Sequence, residues 1–274
     1  MDFYSIGLAV VVGAFAGLIA VGVSTLFRKE GKARKVVMVL AFVVLFVGLK
    51  SLGTAYVLPV IKAFAGENVE QRVTEALESV PAYIVIRDHD PEVYKALHGK
   101  FVSMLRAGKK KEEVTAQLQA IMSNLVITRL PHASDQALVE YVRMMVVKME
   151  ALADKGGGLC YRFLYPQVEG GINATEHFPK QIISDDLEAL ANVLKSSVNQ
   201  KRSIPPESET APKLVPVFDG LRKKYGDAVD MIDDPTGKNV DREKLCRVMA
   251  GLYGGILNLP KPESIKVLRW MFAP

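Results

Sequence analysis

Three consecutive stretches decide the architecture of this chain: FYSIGLAVVVGAFAGLIAVGVSTLF (3–27), RKEGKARK (28–35) and VVMVLAFVVLFVGLKSLGTAYVLPVI (36–61). Both apolar stretches are longer than 18 residues, which is typical of transmembrane helices because roughly 20 residues cross the hydrocarbon core of a bilayer. We therefore predict two membrane spans, at about 5–27 and 36–58.

The orientation of this transmembrane hairpin (residues 1–62) follows from the charges of its loop. The loop carries these basic residues: Arg28, Lys29, Lys32, Arg34 and Lys35. Short loops rich in Lys and Arg remain on the cytoplasmic side, so both termini are expected on the opposite side. In a bacterial inner membrane, that side is the periplasm. A cleaved signal peptide is disfavoured because residues 1–5, MDFYS, lack the basic segment that precedes its apolar core.

The formal net charge of +5 does not indicate a nucleic-acid partner. Residues 1–65 hold 7 basic and 2 acidic residues, whereas residues 66–274 hold 28 of each kind. The whole surplus therefore lies in the membrane anchor, where the lipid bilayer is the expected partner. The rest of the chain lacks the basic excess that is typical of nucleic-acid binding.

The first span carries small residues at a helical interval. Two sets repeat every four residues: Ala9, Gly13 and Gly17, and Ala16, Ala20 and Ser24. Small residues at this interval let two helix backbones approach closely, so they indicate a packing face for another membrane subunit or for a second copy of the chain. Packing against the second span, or the usual Gly and Ala content of membrane helices, explains them equally well.

Lys50 is the one charged residue within the second span. A charge inside a span is a candidate for an ion pathway. Counted from Val36, however, the outer boundary of the span falls near Ala55, about 7 Å beyond Lys50 at 1.5 Å per residue. A lysine stem covers that distance, so an ammonium group among the lipid headgroups is the favoured interpretation.

The remaining sequence has helical periodicity, so the fold class is mainly α: the transmembrane hairpin followed by a soluble α-helical bundle domain. Helices are predicted at residues 69–79, 91–107, 111–130, 138–152, 184–197, 213–225, 241–259 and 262–272. Residues 81–86 are a candidate short strand. The proline-rich segment 199–212 is predicted to be a linker or loop between a helical domain, 63–198, and a C-terminal helical subdomain, 213–274.

Capping residues mark two of these helices. Asp90 precedes Pro91, and Asp241 precedes the apolar run 245–259, so each aspartate is a predicted N-cap. The run 245–259 has few charges, but it is too short for a third span and is predicted to be a buried core helix.

Cys160 and Cys246 are the only cysteines. In an oxidising compartment they could form one disulfide, whereas two separate thiols would act as small buried apolar groups. A third interpretation makes Cys160 a nucleophile with His177 as its base, but no local signature of a thiol protease accompanies this pair.

Two polar clusters superficially resemble metal sites. Residues 87–92, RDHDPE, lack a second histidine at helical spacing, and His98 lies on an apolar helix face. The aspartates at 230–241 do not match a calcium loop, because lysines occupy the positions that need glycine and glutamate. The lysine run 109–111 is interpreted as a solvated turn. We therefore predict no catalytic, cofactor-binding or metal-binding residues, and a cofactor is not expected.

These observations lead to one expectation about function and two alternatives. The chain is expected to be a periplasmic helical protein that is anchored in the inner membrane by two spans and acts as a binding or assembly component of an envelope complex. The lack of catalytic motifs favours a non-enzyme. Its partners would be other membrane subunits or itself. The alternatives are a transport or channel subunit that uses the glycine-rich span and Lys50, and an envelope hydrolase or metal-dependent enzyme.

Overall fold

The computed structural model describes residues 68–109, 111–169 and 171–273. The predicted hairpin, with its small-residue faces, its basic loop and Lys50, lies outside these ranges, so both spans remain predictions. Within the described ranges, every helix is too short or too polar to cross a bilayer.

The described residues are mainly helical, and none of them forms a strand. Their α-helices are α1 (Val69–Glu78), α2 (Pro81–His89), α3 (Pro91–Arg106), α4 (Lys111–Arg129), α5 (Asp135–Lys155), α6 (Leu159–Leu164), α7 (Pro166–Glu169), α8 (Ala174–His177), α9 (Lys180–Ser197), α10 (Glu207–Tyr225), α11 (Arg242–Leu257) and α12 (Lys261–Phe272). Short 3-10 helices at Leu130–His132 and Gly226–Ile232 follow α4 and α10.

The candidate strand at residues 81–86 was wrong, because this segment is the first part of α2. Pro81 occupies the first helical position, where its missing N–H is not needed and its fixed φ suits a helix. Ala82 and Ile86 are four residues apart and both buried, so helical spacing directs them into the core. A helix also satisfies its own backbone hydrogen bonds, whereas a lone strand could not.

Two predicted helix starts were too late. α9 begins at Lys180 rather than at Ser184, after Pro179 at the N-cap, and α10 begins at Glu207 rather than at Lys213. Helix α10 continues through Pro212, although a proline inside a helix removes one backbone hydrogen bond. Residues 199–206 therefore remain as the connection, and one cluster of buried side chains includes residues from both sides of it. The division into two domains stays a prediction.

Helix α5 lies at the centre of the bundle. It packs against α9 and α11 and also contacts α6 and α12. The predicted apolar stripe of α5 is confirmed, since each of its members is buried: Leu138, Tyr141, Val142, Met145, Met149 and Leu152. Burial of one such aliphatic side chain stabilises a fold by about 1.5–3 kcal/mol.

The C-terminal helices complete the core around α5. α11 is the predicted buried helix, with Asp241 at its N-cap accepting a hydrogen bond from the Lys244 amide at 3.0 Å. α12 is held by Arg269, which is only 5% exposed and donates to the carbonyl oxygens of Pro131 and Ala133 at 2.5 and 2.8 Å. These bonds attach the end of the chain to the segment between α4 and α5.

Candidate binding site beside the disulfide

The two cysteines meet in the core. Cys160 of α6 and Cys246 of α11 are joined by a disulfide, with Cα atoms 5.9 Å apart. This separation lies within the usual range for disulfides. Both residues are buried, at 3% and 0% exposure, so the bond lies beneath the surface. A cysteine in such a bond has no thiolate, and the Cys160 nucleophile with His177 as base has no support in this arrangement.

Three glycines bring Cys160 to this position. Gly156, Gly157 and Gly158 all have positive φ angles, of 68°, 64° and 70°. Residues with a Cβ rarely adopt this region, so the run lets the chain turn sharply after α5 and begin α6. Helix α6 then packs against both α5 and α11. The sequence prediction that this glycine run ends the helix before it is confirmed, because Gly156 is the C-cap of α5.

A surface cleft of about 560 Å³ lies next to the disulfide. It is lined by Tyr161, Val168, Thr236, Gly237, Lys238, Val240 and Arg242. Tyr161 follows Cys160 in the chain, and Arg242 lies one helical turn before Cys246. The disulfide therefore joins the two helices that contribute Tyr161 and Arg242 to the cleft lining.

Side-chain contacts fix the wall that contains Tyr161. Its hydroxyl donates to the carbonyl oxygen of Pro235 at 3.2 Å, and the Arg242 guanidinium lies 5.2 Å from the centre of its ring. Arg242 also pairs with Glu169 of α7 at 2.5 Å. Burial raises the pKa of Tyr161, so this hydroxyl stays protonated and remains a donor at neutral pH.

The loop before α11 contributes the rest of the lining, apart from Val168. Asp234 lies so close to Gly237 that a Cβ atom at position 237 would be 2.6 Å from Oδ2 of Asp234. A larger residue at this position would therefore require the Asp234 carboxylate to move. Lys238 is exposed, and within the described part of the chain its ammonium group pairs with no carboxylate. Val168 is 44% exposed, so the cleft combines an accessible apolar side chain with a lysine that has no described carboxylate partner.

A buried ion pair lies deeper in the bundle. Nζ of Lys148 in α5 is 2.5 Å from Oδ1 of Asp186 in α9, and these side chains are only 2% and 7% exposed. The Lys148 ammonium also lies 5.6 Å from the centre of the Phe163 ring, which belongs to α6. Removing one charge from such a pair leaves the other buried without compensation, so each residue depends on its partner.

Two tyrosine hydroxyls are buried in the core of the bundle. The hydroxyls of Tyr141 and Tyr165 are buried and have no hydrogen-bond partner among the described residues. Burial is the main cause that raises the pKa of Tyr141, and the nearby charge of Asp186 adds to it. The rings of Tyr161 and Tyr165 lie 4.8 Å apart, so Tyr161 in the cleft lining packs against the buried ring of Tyr165.

The polar cluster at residues 87–92 does not converge on one point. Asp88 pairs with Arg87 at 2.8 Å, which holds the pKa of the Asp88 carboxyl below its usual value. Asp90 is the N-cap of α3 by position, but its side chain caps no amide and pairs instead with Arg129. The capping role predicted for this carboxylate was therefore wrong. Nε2 of His98 lies 2.9 Å from Oγ1 of Thr74, in a partly buried contact.

The aspartates at 230–241 are likewise separately engaged. Asp230 accepts from Arg222 at 2.7 Å, and Asp241 caps α11. Across the described ranges, no group of three His, Cys, Asp or Glu side chains is close enough to hold a metal ion.

Sequence reasoning missed the buried charges, although the signal was present. Lys148 lies three residues after Met145 and seven after Tyr141, so it falls on the apolar stripe of α5. Asp186 similarly falls among the apolar residues of α9. A positive charge on the apolar face of one helix and a negative charge on that of another indicate that the two side chains contact each other, because buried charges are normally paired.

No protein-family model matches this chain, and no curated protein or solved structure shows significant similarity to it. The cleft presents apolar side chains at Val168 and Val240 and, at Lys238, a cation that has no carboxylate partner among the described residues.

Proposed function

We propose that this protein is a membrane-anchored, extracytoplasmic binding component of an envelope complex. The N-terminal hairpin holds it in the inner membrane, and the helical bundle binds a partner subunit through the cleft beside the disulfide. The observation that carries the proposal is the position of the disulfide, which joins the helices α6 and α11 that contribute Tyr161 and Arg242 to that cleft.

The disulfide supports the compartment. Bonds of this kind persist in oxidising environments such as the periplasm and are rare in the cytosol. The basic loop at 28–35 independently favours the same side of the membrane for the helical domain. Two unrelated features, the disulfide and the basic loop, thus support an extracytoplasmic bundle.

The shape and lining of the cleft support a binding role. Its volume falls within the range of sites that accept a small molecule or a single side chain of a partner. Val168 and Val240 provide apolar contact, and Lys238 provides a charge that complements an acidic group. A preformed site loses less conformational entropy on binding, so a cleft whose helices are joined by a disulfide should bind its partner more tightly than a mobile one.

The topology is tested with reporter fusions. Alkaline phosphatase fused after residue 274 should be active, because this enzyme needs the oxidising side of the membrane. The same reporter fused after Lys35, in the basic loop, should be inactive and serves as the matched control. An inactive C-terminal fusion would place the bundle in the cytoplasm and refute the proposal.

The binding role is tested by copurification of the full chain from detergent. Val168→Asp and Lys238→Glu should each reduce recovery of bound subunits, because they change the apolar and charged parts of the cleft. Val215→Asp is the control, since Val215 is comparably exposed, at 56%, and does not line the cleft. Equal recovery with all variants would show that the cleft does not hold the partner.

A further inference from the structure

One face of α10 packs against the bundle, and its buried residues are Thr210, Leu214, Val217 and Leu221. Two glycines of α11 let this face approach closely. A Cβ atom at Gly255 would lie 2.8 Å from Cγ1 of Val217. One at Gly251 would lie 2.9 Å from Cδ2 of Leu221. This close packing fixes the rotation of α10 about its axis, so the opposite face is directed away from the core.

The opposite face of α10 carries an apolar stripe, formed by Pro212, Val215 and Pro216 and here called the proline stripe. Both prolines are exposed, and Val215, at 56% exposure, is the most exposed large apolar residue in the described ranges. A proline inside a helix leaves the carbonyl oxygen four residues earlier without its helical donor, here on Ser208 and Pro212. Each interior proline also costs a helix about 3 kcal/mol, so a face that only contacts water is not expected to carry two of them.

The two halves of α10 differ in the sign of their charge. Residues 207–215 contain two glutamates and one lysine, which gives −1, whereas residues 217–225 contain three basic residues and one aspartate, which gives +2. Glu209 pairs with Lys266 and Arg222 pairs with Asp230, but these four side chains are 52–55% exposed. Exposed pairs contribute only about 0–1 kcal/mol, so they do not prevent contacts with a partner. Lys223 has no ion-pair partner among the described residues.

We infer that the proline stripe binds the same stripe of a second copy of this chain, in an antiparallel pair of α10 helices with Val215 near the two-fold axis. Antiparallel packing brings the acidic half of each helix beside the basic half of the other, whereas parallel packing would bring like charges together. Ser208 and Lys223 lie seven and eight residues from Val215. The ammonium group of Lys223 in one copy therefore lies beside the carbonyl oxygen of Ser208 in the other.

The size of this contact sets how the dimer should be detected. Helix α10 has 19 residues and is therefore about 28 Å long. A single pair of such helices buries less than the roughly 1,600 Å² of a standard interface. The dimer is therefore weak and reversible, and covalent cross-linking is a better measurement of it than size after dilution.

The test introduces single cysteines into the full chain and oxidises the expressing cells with copper phenanthroline. Cys160 and Cys246 are buried and bonded to each other, so only the new thiol reacts. Val215→Cys should give a dimer on a non-reducing gel, because the two copies of a residue at the two-fold axis meet. Ser208→Cys should not, because its two copies lie about 21 Å apart along the helices, beyond the reach of a disulfide.

Val147→Cys is the matched control, since Val147 is an exposed valine on α5. A dimer with Ser208→Cys would show that the helices pack in parallel and would overturn the inference. The same holds if Val215→Cys gives no dimer, or gives no more of it than Val147→Cys.

Charge-reversed variants test whether the partner is a second α10. In the Val215→Cys chain, Lys223→Glu with Lys224→Glu should reduce the cross-linked fraction at least about fivefold, the loss expected for two symmetry-related exposed ion pairs. Adding Glu207→Lys and Glu209→Lys should restore it, because the two halves of the helix are then complementary again. A reduction without recovery would show that these charges contact something other than a second α10.

The proline stripe does not line the cleft, so this inference and the proposed function can fail separately. Val168→Asp should leave the Val215→Cys cross-link unchanged, and Val215→Asp should leave the recovery of other subunits unchanged. Loss of the cross-link in the Val168→Asp chain would place the contact between the two copies at the cleft and overturn the inference.

Discussion

The disulfide should be a large single contributor to the stability of the bundle. Cys160 and Cys246 are 86 residues apart in sequence, and they link α6 to α11. In the chain-entropy account, closing a loop of that length in the unfolded state stabilises the folded state by about 4.5 kcal/mol. For a domain of this size, each 1 kcal/mol corresponds to roughly 2–4 °C in Tm, so loss of the bond should lower Tm by about 9–18 °C.

The assay is thermal unfolding of the full chain in detergent, followed by circular dichroism. Because both cysteines are almost completely buried, reduction must be carried out in denaturant, followed by refolding under reducing conditions. Cys160→Ala, Cys246→Ala and the double variant should show nearly the same loss as reduction, since each removes the same bond. The double variant should not respond to reductant, which makes it the control.

Two results would contradict this reasoning. Free alkylation of both thiols in unreduced protein, detected by mass spectrometry, would show that the bond does not form in the cell. A Tm that changes by less than about 2 °C after verified reduction would show that the bond does not constrain the unfolded chain as the entropy account requires.

Three further predictions concern the core and the helix ends. Lys148→Met should lower the free energy of unfolding, measured in urea, by about 3–5 kcal/mol because it leaves the Asp186 carboxylate buried without a partner. The double variant Lys148→Met with Asp186→Leu should recover most of that loss. Equal instability of the two variants would contradict the role of the ion pair. Asp241→Ala should cost about 0.5–1 kcal/mol at neutral pH. Because the Lys244 amide holds the pKa of Asp241 below its usual value, the part of this stabilisation that depends on the carboxylate charge is fully present above the unfolded-state pKa of about 3.9 and is lost as the pH falls through the lower folded-state pKa. A difference between wild type and variant that does not shrink on acidification would refute the assignment. Gly254→Ala should stabilise α11 by about 0.5–1 kcal/mol because a Cβ there meets open space. Gly255→Ala should instead destabilise the protein, because its Cβ would lie 2.8 Å from Cγ1 of Val217, and chemical denaturation of the two variants compares them directly.

Local patterns predicted much of the helical structure. The stripe from Leu138 to Leu152 identified the core face of α5, and the aspartate before α11 identified its cap. Such predictions succeed because helical periodicity and capping depend on residues within a few positions of one another. The same local rules placed the start of α10 too late, since Pro212 is accommodated within a helix that packs against α11, α12 and the 3-10 helix at Gly226–Ile232.

The sequence by itself determined the helical character of the described residues and led to the predicted membrane hairpin, because hydrophobic length and periodicity are properties of neighbouring residues. Only the tertiary structure decided which distant groups meet: Cys160 with Cys246, Lys148 with Asp186, and Asp90 with Arg129 rather than with its own helix. These pairings join residues between 38 and 86 positions apart, and they depend on how whole helices pack. A local pattern can show that a buried charge needs a partner, but the packing of the bundle determines which partner it finds.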